Sequence, residues 1–198
     1  MSKILITGSN SNFGIHLVSK FKNEGHDVLC HNGKNDCDLS TIEGIEKLTN
    51  KAINYNIDTL INNAAIVCPG KSFEEYTQKE IQNYINVNLL SPILLTFNLM
   101  SYLKRVININ SMVGIEIKPF RTMYSATKWG MRGFFQSLHA ENNNIKITDV
   151  YPTKIKTNIN INDALNLDLV IDTIYNEGFI NNKNKIILDG RVGKITIN

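Results

Sequence analysis

The sequence predicts an α/β fold: a doubly wound, mostly parallel sheet with helices on both faces, formed as a single domain over residues 1–198. Two observations carry this. Short apolar runs of strand length alternate with stretches of helical periodicity from one end to the other, and such alternation buries its apolar surface best as a parallel sheet joined by right-handed crossovers. The strands also end in small or polar residues, at Gly8, Asn62, Asn63, Ser111 and Pro152, and ligands of these sheets bind just outside the carboxyl ends of the strands. A chain of 198 residues buries about 70% of its extended surface in one core and is short for two domains.

The elements follow in order. KILIT at 3–7 reads as a buried strand closed by Gly8. Phe13, Ile15, Leu17, Val18 and Phe21 recur at helical spacing as far as Gly25, and DVLCH makes the second strand. Ser40 opens an S-x-x-E capping box that starts a helix running to Tyr55. IDTLI is the third strand and NNAA its polar corner. A long helical pattern spans residues 77–103, RVINI is a strand, residues 123–142 form a helix and IKITDVY a strand. A last helix over residues 164–177 precedes the strand KIILD. No repeat, linker or low-complexity segment interrupts the pattern.

Hydrophobic residues at 42% and charged residues at 20% exclude a highly charged disordered chain. The net charge of +3 is spread without a basic block and gives no support for a nucleic-acid partner. No stretch approaches the 18 or so apolar residues of a membrane span, so no membrane partner is expected. The three cysteines, Cys30, Cys37 and Cys68, are odd in number and lack metal-ligand spacing, and no signal peptide is visible, which together predict a reducing, cytoplasmic setting. His16, His26, His31 and His139 are scattered, and no metal site is predicted.

The first turn reads TGSNSNFG over residues 7–14. In a strand-turn-helix phosphate loop one glycine permits the tight turn and a later one close packing, while the orphan N–H groups of the helix end attract a pyrophosphate. Gly8 and Gly14 fit those roles, although the pair alone is equally compatible with a plain turn. YSATK at 124–128 sits at the start of a predicted helix, where an i,i+4 pair lies on one face with Cβ atoms about 5–6 Å apart. An ammonium so placed favours the phenolate of Tyr124, whose ordinary pKa is about 10. Lowering it by about 3 corresponds to about 4 kcal/mol and makes Tyr124 a usable acid or base near neutrality. Such a pair alone also occurs as surface or core packing.

With these residues in view, the sequence resembles the short-chain dehydrogenase/reductase family over almost its whole length and in the family's order. TGSNSNFG is similar to the TGxxxGxG nucleotide loop, with Asn12 in place of the middle glycine. DLS at 38–40 resembles the acidic step that meets the adenine, NNAA at 62–65 the family's NNAG with Ala65 for glycine, and Asn88 in NVNLLSP falls where the family has an active-site asparagine. Ser111 precedes Tyr124 by thirteen residues, the family's separation of serine and tyrosine. PTKIKT at 152–157 resembles the PGxxxT segment beside the nicotinamide, with Thr153 in the glycine position.

The resemblance implies a Rossmann-like fold and an oxidoreductase that transfers a hydride between a nicotinamide cofactor and a small-molecule carbonyl or alcohol. Tyr124 is then the acid or base, Ser111 orients the substrate oxygen, Lys128 holds the nicotinamide ribose and tunes Tyr124, and Asn88 supports a water link to Lys128. Cofactor contacts are expected from Gly8, Ser9, Asn10, Asn12, Phe13 and Gly14; from His31, Asn32, Lys34, Asp38 and Leu39; from Asn63, Ala64 and Ala65; from Tyr124 and Lys128; and from Pro152, Thr153, Ile155 and Thr157. Asn12, Ala65 and Thr153 add atoms where the family prefers glycine; asparagine is the mildest of these if its position is left-handed. At the end of the second strand a carboxylate would grip the ribose hydroxyls. Neutral Asn32 stands there instead, with His31 and Lys34 able to pair with a phosphate, which favours NADP. NAD stays possible because Asp36 lies close in sequence.

From VLCH the chain reaches DLS almost at once, so the helix that normally intervenes is shortened or missing. Few residues separate Thr157 from the last helix, leaving residues 155–161 as the candidate for a small cover. Substrate contacts are expected from residues 67–71, 113–121 and 153–161, with Arg121 a candidate anion reader. Trp129, Phe134 and Phe135 read as core or subunit packing, and a homodimer or homotetramer is expected. Two other readings are a non-catalytic dinucleotide sensor and a nucleotide-sugar epimerase or dehydratase.

Overall fold

In a computed structural model, which describes residues 1–67, 70–155 and 164–198, the alternation becomes a seven-stranded sheet. The chain runs β1 (Lys3–Ile6), α1 (Asn12–Asn23), β2 (Asp27–Cys30), α2 (Ile42–Tyr55), β3 (Thr59–Asn62), α3 (Gln78–Ile85), α4 (Ser91–Leu99), β4 (Arg105–Ile109), α5 (Thr122–Glu141), β5 (Lys146–Pro152), α6 (Leu167–Thr173), β6 (Lys185–Asp189) and β7 (Lys194–Ile197). Strand order is β2-β1-β3-β4-β5-β6-β7. All neighbours pair parallel except β7, which returns antiparallel to β6.

Alternating side chains give each face its own core. Ile4, Ile6, Ile61 and Ile107 face one layer, where Leu17 and Phe21 of α1 and Val170 and Ile174 around α6 cover them. Leu5, Leu60 and Val106 face the other, beneath Leu48 of α2, Leu95 and Leu99 of α4 and Phe135 of α5. The central strands β1, β3, β4 and β5 are therefore buried on both sides, which is why they read as nearly continuous apolar runs.

Strand order reverses at β1: β2 lies on one side and β3 on the other. A crevice opens outside the carboxyl ends of strands at such a reversal. It lies between the residues after β1, starting at Thr7, and those after β3, starting at Asn63.

Four boundaries differ from the sequence reading. The cap of α2 is Thr41, whose Oγ1 accepts from Gly44 N at 3.1 Å; Ser40 bonds Asp38 instead. The long helical pattern is interrupted by a π turn at Asn86–Leu90 between α3 and α4. The last helix starts at Leu167 and runs on through a π turn, Ile174–Ile180. β7, four residues exposed or half-buried throughout, carried too little apolar signal to be seen. No helix forms between β2 and α2, as expected from the short connection.

Gly44 packs the first turn of α2 onto the backbone of Asp38, where an added Cβ would lie 2.1 Å from Asp38 O and 2.6 Å from Asp38 N. Backbone cannot step aside as a side-chain tip can. Gly44→Ala is expected to destabilise the protein by about 1–3 kcal/mol in urea denaturation; an unchanged midpoint would show that residues 38–40 do not rest on this turn.

Candidate active site

Gly8 adopts φ +63° and comes so close to β3's exit that a Cβ would sit 2.9 Å from Ala64 Cα. Gly14 packs its Cα on the same turn, with Gly8 O 2.3 Å from where a Cβ would be. Both glycines are required by geometry. Ser11 caps α1: its Oγ accepts from Gly14 N at 3.0 Å and donates to Gly8 O at 2.8 Å. The first turn of α1 holds no acid, so the positive end of the helix faces the crevice unopposed. Asn12 is the first helical residue and is not among the described non-glycine residues with positive φ. The left-handed conformation considered for it does not occur, and the backbone there makes no demand for glycine.

Thr7 Oγ1 accepts from both Asn63 N and Ala64 N at 3.0 Å. Asn63 Nδ2 returns the contact to Thr7 O and Gly8 O at 2.9 Å. These bonds lock the two strand exits together. Gly8, Asn10, Asn12, Phe13, Asn63, Ala64 and Ala65 line one cavity of about 1080 Å³. Ser9 and Gly14 do not; Ser9 is buried, with its Oγ donating to His31 O at 2.8 Å.

Beyond β2, two of the expected phosphate-side residues, His31 and Lys34, line the cavity, and Asn32 does not. His31 is buried, its Nδ1 accepting from Gly8 N at 3.2 Å. Nε2 therefore carries the proton and donates to Cys37 O at 2.8 Å. His31 lines the cavity, and with both nitrogens bonded to backbone its ring braces the glycine turn. Asn32 turns away from the cavity, its Oδ1 accepting from Ser9 Oγ at 3.0 Å. Asp36 also leaves the ribose region: it is ion-paired to Lys51, which holds its carboxyl below the usual range, and it accepts from Asn32 N at 3.2 Å. Lys34, Asp38 and Leu39 do line the cavity, with Lys34 Nζ 3.3 Å from Asp38 Oδ2.

At the other end, Ser111 caps a short turn, Met112–Gly114, its Oγ accepting from Val113 N at 3.3 Å. Tyr124 and Lys128 are one turn apart on α5, and both line the cavity with Ser111. The Lys128 ammonium is 5.7 Å from the centre of the Tyr124 ring and donates to Ile109 O at 2.8 Å. Burial pushes that ammonium down to about 8, opposed in part by the charge of Asp149. Asn110 ties these parts together, accepting from Ser111 N at 2.9 Å and donating to Lys128 O at 3.2 Å.

Asn88 lies inside the π turn, a feature often found at functional sites. It is buried, and its amide clasps the backbone of Ile66: Oδ1 accepts from Ile66 N at 2.7 Å and Nδ2 donates to Ile66 O at 2.9 Å. Its side chain positions a cavity wall and does not itself line the cavity.

Pro152, Thr153 and Ile155 also line the cavity. Thr153 Oγ1 accepts from Gly190 N at 2.9 Å and lies 3.3 Å from Leu188 O, so the atoms it adds in the glycine position are held against the β6–β7 turn. Thr157 and most of the proposed cover, residues 156–161, fall outside the described residues. Arg191 was missed with β7. It lines the cavity and forms paired bonds with Glu116 at 2.7 and 2.8 Å and with Asp189 at 2.7 and 2.8 Å. Asn83 and Val87 of the α3 region were also missed.

Lys34, Lys118, Arg121, Lys128, Lys154 and Arg191 line the cavity, against Asp38 as the one carboxylate among the described lining residues. A glycine turn, a helix start without acidic residues and a cationic lining fit a dinucleotide along one side and leave the Ser111–Tyr124 corner for a second molecule.

The sequence profile of the short chain dehydrogenases matches residues 34–167. The chain belongs to the short-chain dehydrogenase family. An uncharacterized oxidoreductase of Saccharomyces cerevisiae is 34% identical to it over 188 residues, covering 78% of this chain and 60% of the yeast protein. A 3-ketodihydrosphingosine reductase of Bacteroides thetaiotaomicron is 26% identical over 95% of this chain and 69% of its own. The chain spans 61% of an uncharacterized oxidoreductase of Schizosaccharomyces pombe and 43% of a Xenopus tropicalis dehydrogenase/reductase. Among solved structures, the bulky-bulky ketone specific alcohol dehydrogenase of Comamonas testosteroni aligns with TM-score 0.84 at 20% identity, covering 94% of this chain and 86% of that one. A Sphingobium yanoikuyae short-chain dehydrogenase in complex with NADPH gives 0.82 at 20% identity, covering 94% and 87%. At these identities the likeness is one of fold.

Replacing His31 by leucine leaves Gly8 N–H and Cys37 C=O without partners. Each such loss costs about 1–3 kcal/mol. His31→Leu is expected to lower the urea midpoint accordingly and to weaken dinucleotide binding, whereas a variant as stable as the parent would show that the ring does not brace the turn.

Proposed function

We propose that this protein is an oxidoreductase that moves a hydride between a nicotinamide dinucleotide, NADP in preference to NAD, and a carbonyl or alcohol carbon, with Tyr124 as the acid or base. The observation that carries the reading is the placing of Ser111, Tyr124 and Lys128 at one end of a cavity whose far wall is the Gly8 turn and the start of α1. Reduction by a relative named as a ketone reductase supports the carbonyl assignment.

The bound nicotinamide supplies the hydride chemistry. The protein supplies the rest. Ser111 Oγ hydrogen-bonds the substrate oxygen, and Tyr124 gives it a proton in reduction or takes one in oxidation. Lys128, charged and almost wholly excluded from water, favours the phenolate more strongly than the same charge would at the surface. Gly8 to Phe13 and Asn63 to Ala65 cradle the pyrophosphate side.

The preference for NADP rests on Lys34. Asp36 is held by Lys51, and Asp38 is shared between Lys34 and Ser40, so no unengaged carboxylate meets the ribose at the end of β2. Lys34 reaches a 2′-phosphate by leaving Asp38, an exposed pair worth about 0–1 kcal/mol. Structural neighbours are bound to NADPH and NADP and one to NADH, which supports a nicotinamide dinucleotide without deciding between the two. Exposed Phe97 on α4 and Trp129 on α5 support the homodimer or homotetramer.

Two measurements test this. NADPH is expected to bind the apoprotein at micromolar concentration and more tightly than NADH, by nicotinamide fluorescence and calorimetry. Lack of binding by either at millimolar concentration would remove the oxidoreductase reading, and a preference for NADH would remove the role of Lys34. In a carbonyl screen, Tyr124→Phe is expected to lower kcat about 10²–10⁴-fold with cofactor affinity retained; equal turnover would place the proton elsewhere.

A further inference from the structure

A row of polar side chains lies inside the sheet below the catalytic corner. Asn62 Nδ2 on β3 donates to Asn108 Oδ1 on β4 at 2.9 Å, and Asn108 Nδ2 donates to Asp149 Oδ1 on β5 at 3.0 Å. Tyr151 OH donates to Asp149 Oδ2 at 3.2 Å. The first three are direct partners across the strands, and all four are buried, with Asp149 at 3% exposure. A carboxylate in such a place is costly unless an opposite charge is near.

The row ends beneath α5. Asn108 shares its face of β4 with Asn110, which donates to Lys128 O, and the residue between them, Ile109, accepts from Lys128 Nζ at 2.8 Å. Lys128 is itself buried, at 2% exposure. The charged and titratable groups around the pair are Tyr124 and Arg132 from α5, Tyr151 from β5 and, from β6, Lys185, the cross-strand partner of Asp149, whose ammonium lies 5.9 Å from the centre of the Tyr151 ring; β3 and β4 bring only asparagines and backbone.

We infer that Asp149 is a positioning residue, the buried counter-ion that keeps Lys128 protonated behind the site, with Asn62, Asn108 and Tyr151 holding its carboxylate in place. The inference rests on the reading in which Lys128 serves Tyr124 and the nicotinamide ribose. Burial raises the Asp149 carboxyl to about 6 and lowers the Lys128 ammonium to about 8, each opposed by the other's charge. Asp149 is ionised above its value and Lys128 below its own, so both charges are present together between about 6 and about 8. Loss of the carboxylate charge moves the Lys128 midpoint further down.

The test is the ¹³Cε titration of lysines in the cofactor-free protein, with the Lys128 signal assigned by its absence in Lys128→Met. The parent signal is expected to show a main step near pH 8 and a smaller one near pH 6 as Asp149 ionises. In Asp149→Asn, which keeps the shape, the lower step disappears and the main step falls by at least about one pH unit. Tyr151→Phe, which leaves the charge, moves it less. An unchanged Lys128 midpoint in a natively folded Asp149→Asn overturns the inference, as does a parent titration without the lower step, which decides the matter even if the variant fails to fold. NADPH binding measured against pH on the same proteins is expected to fall off at lower pH in Asp149→Asn. If the lysine titration shifts while the parent binds no dinucleotide, the functional reading fails and the counter-ion stands.

Discussion

The site depends on how closely β1 and β3 approach where they leave the sheet. A Cβ at Gly8 would lie 2.9 Å from Ala64 Cα, and Thr7 and Asn63 exchange bonds across the gap. Only a residue without a side chain allows this approach. Because of it, the turn after β1 and the corner after β3 form one continuous floor, and α1 starts from that floor with Asn12 and Phe13 lining the crevice. Had the strands diverged here, the switch point would be a wide cleft unable to hold a pyrophosphate by backbone alone.

Three further devices keep this floor from collapsing or spreading. His31 accepts a hydrogen bond from Gly8 N and donates one from its own ring N–H to Cys37 O, which closes the short connection between β2 and α2 where no helix packs. Asn88 holds Ile66 from inside the π turn, fixing the wall after β3. Arg191, gripping Glu116 and Asp189, joins the β6–β7 turn to the loop that follows Ser111. Each is a side chain bound to distant backbone or to a distant carboxylate, so the cavity is shaped by tertiary contacts on a rigid sheet.

That distinction explains what the sequence made legible. Strands buried on both faces leave continuous apolar runs, and Tyr124 and Lys128 meet through helix geometry alone, so both could be read directly. Gly8 and Gly14 were legible because few other residues survive their positions. His31 was not: a histidine after a strand looks the same whether its nitrogens face a phosphate or a peptide, and only the fold brings Gly8 N–H against it. Asn12 raised a question about left-handed backbone that the helix start removes. Thr41 displaced Ser40 as a cap because Ser40 is drawn to Asp38. β7 has four residues and little buried apolar surface, so its strand character comes from β6, and Arg191 was hidden with it.

The sheet itself changes character as it nears the site. On the face covered by α5, Leu5, Leu60, Val106 and Ile147 are apolar. The next residue on that face of each strand is Thr7, Asn62, Asn108 and Asp149, all buried. Four adjacent strands thus exchange aliphatic packing for hydrogen bonds at the same level, although a methyl-lined layer would be simpler to satisfy. The exchange is explained by what lies above it. A lysine withdrawn from water at that level needs acceptors and an opposite charge within the protein, and aliphatic side chains offer neither. Ile109 O supplies the acceptor and Asp149 the charge, while the asparagines carry the hydrogen bonding from Asp149 across to β3, so the polar row is the underside of the active site.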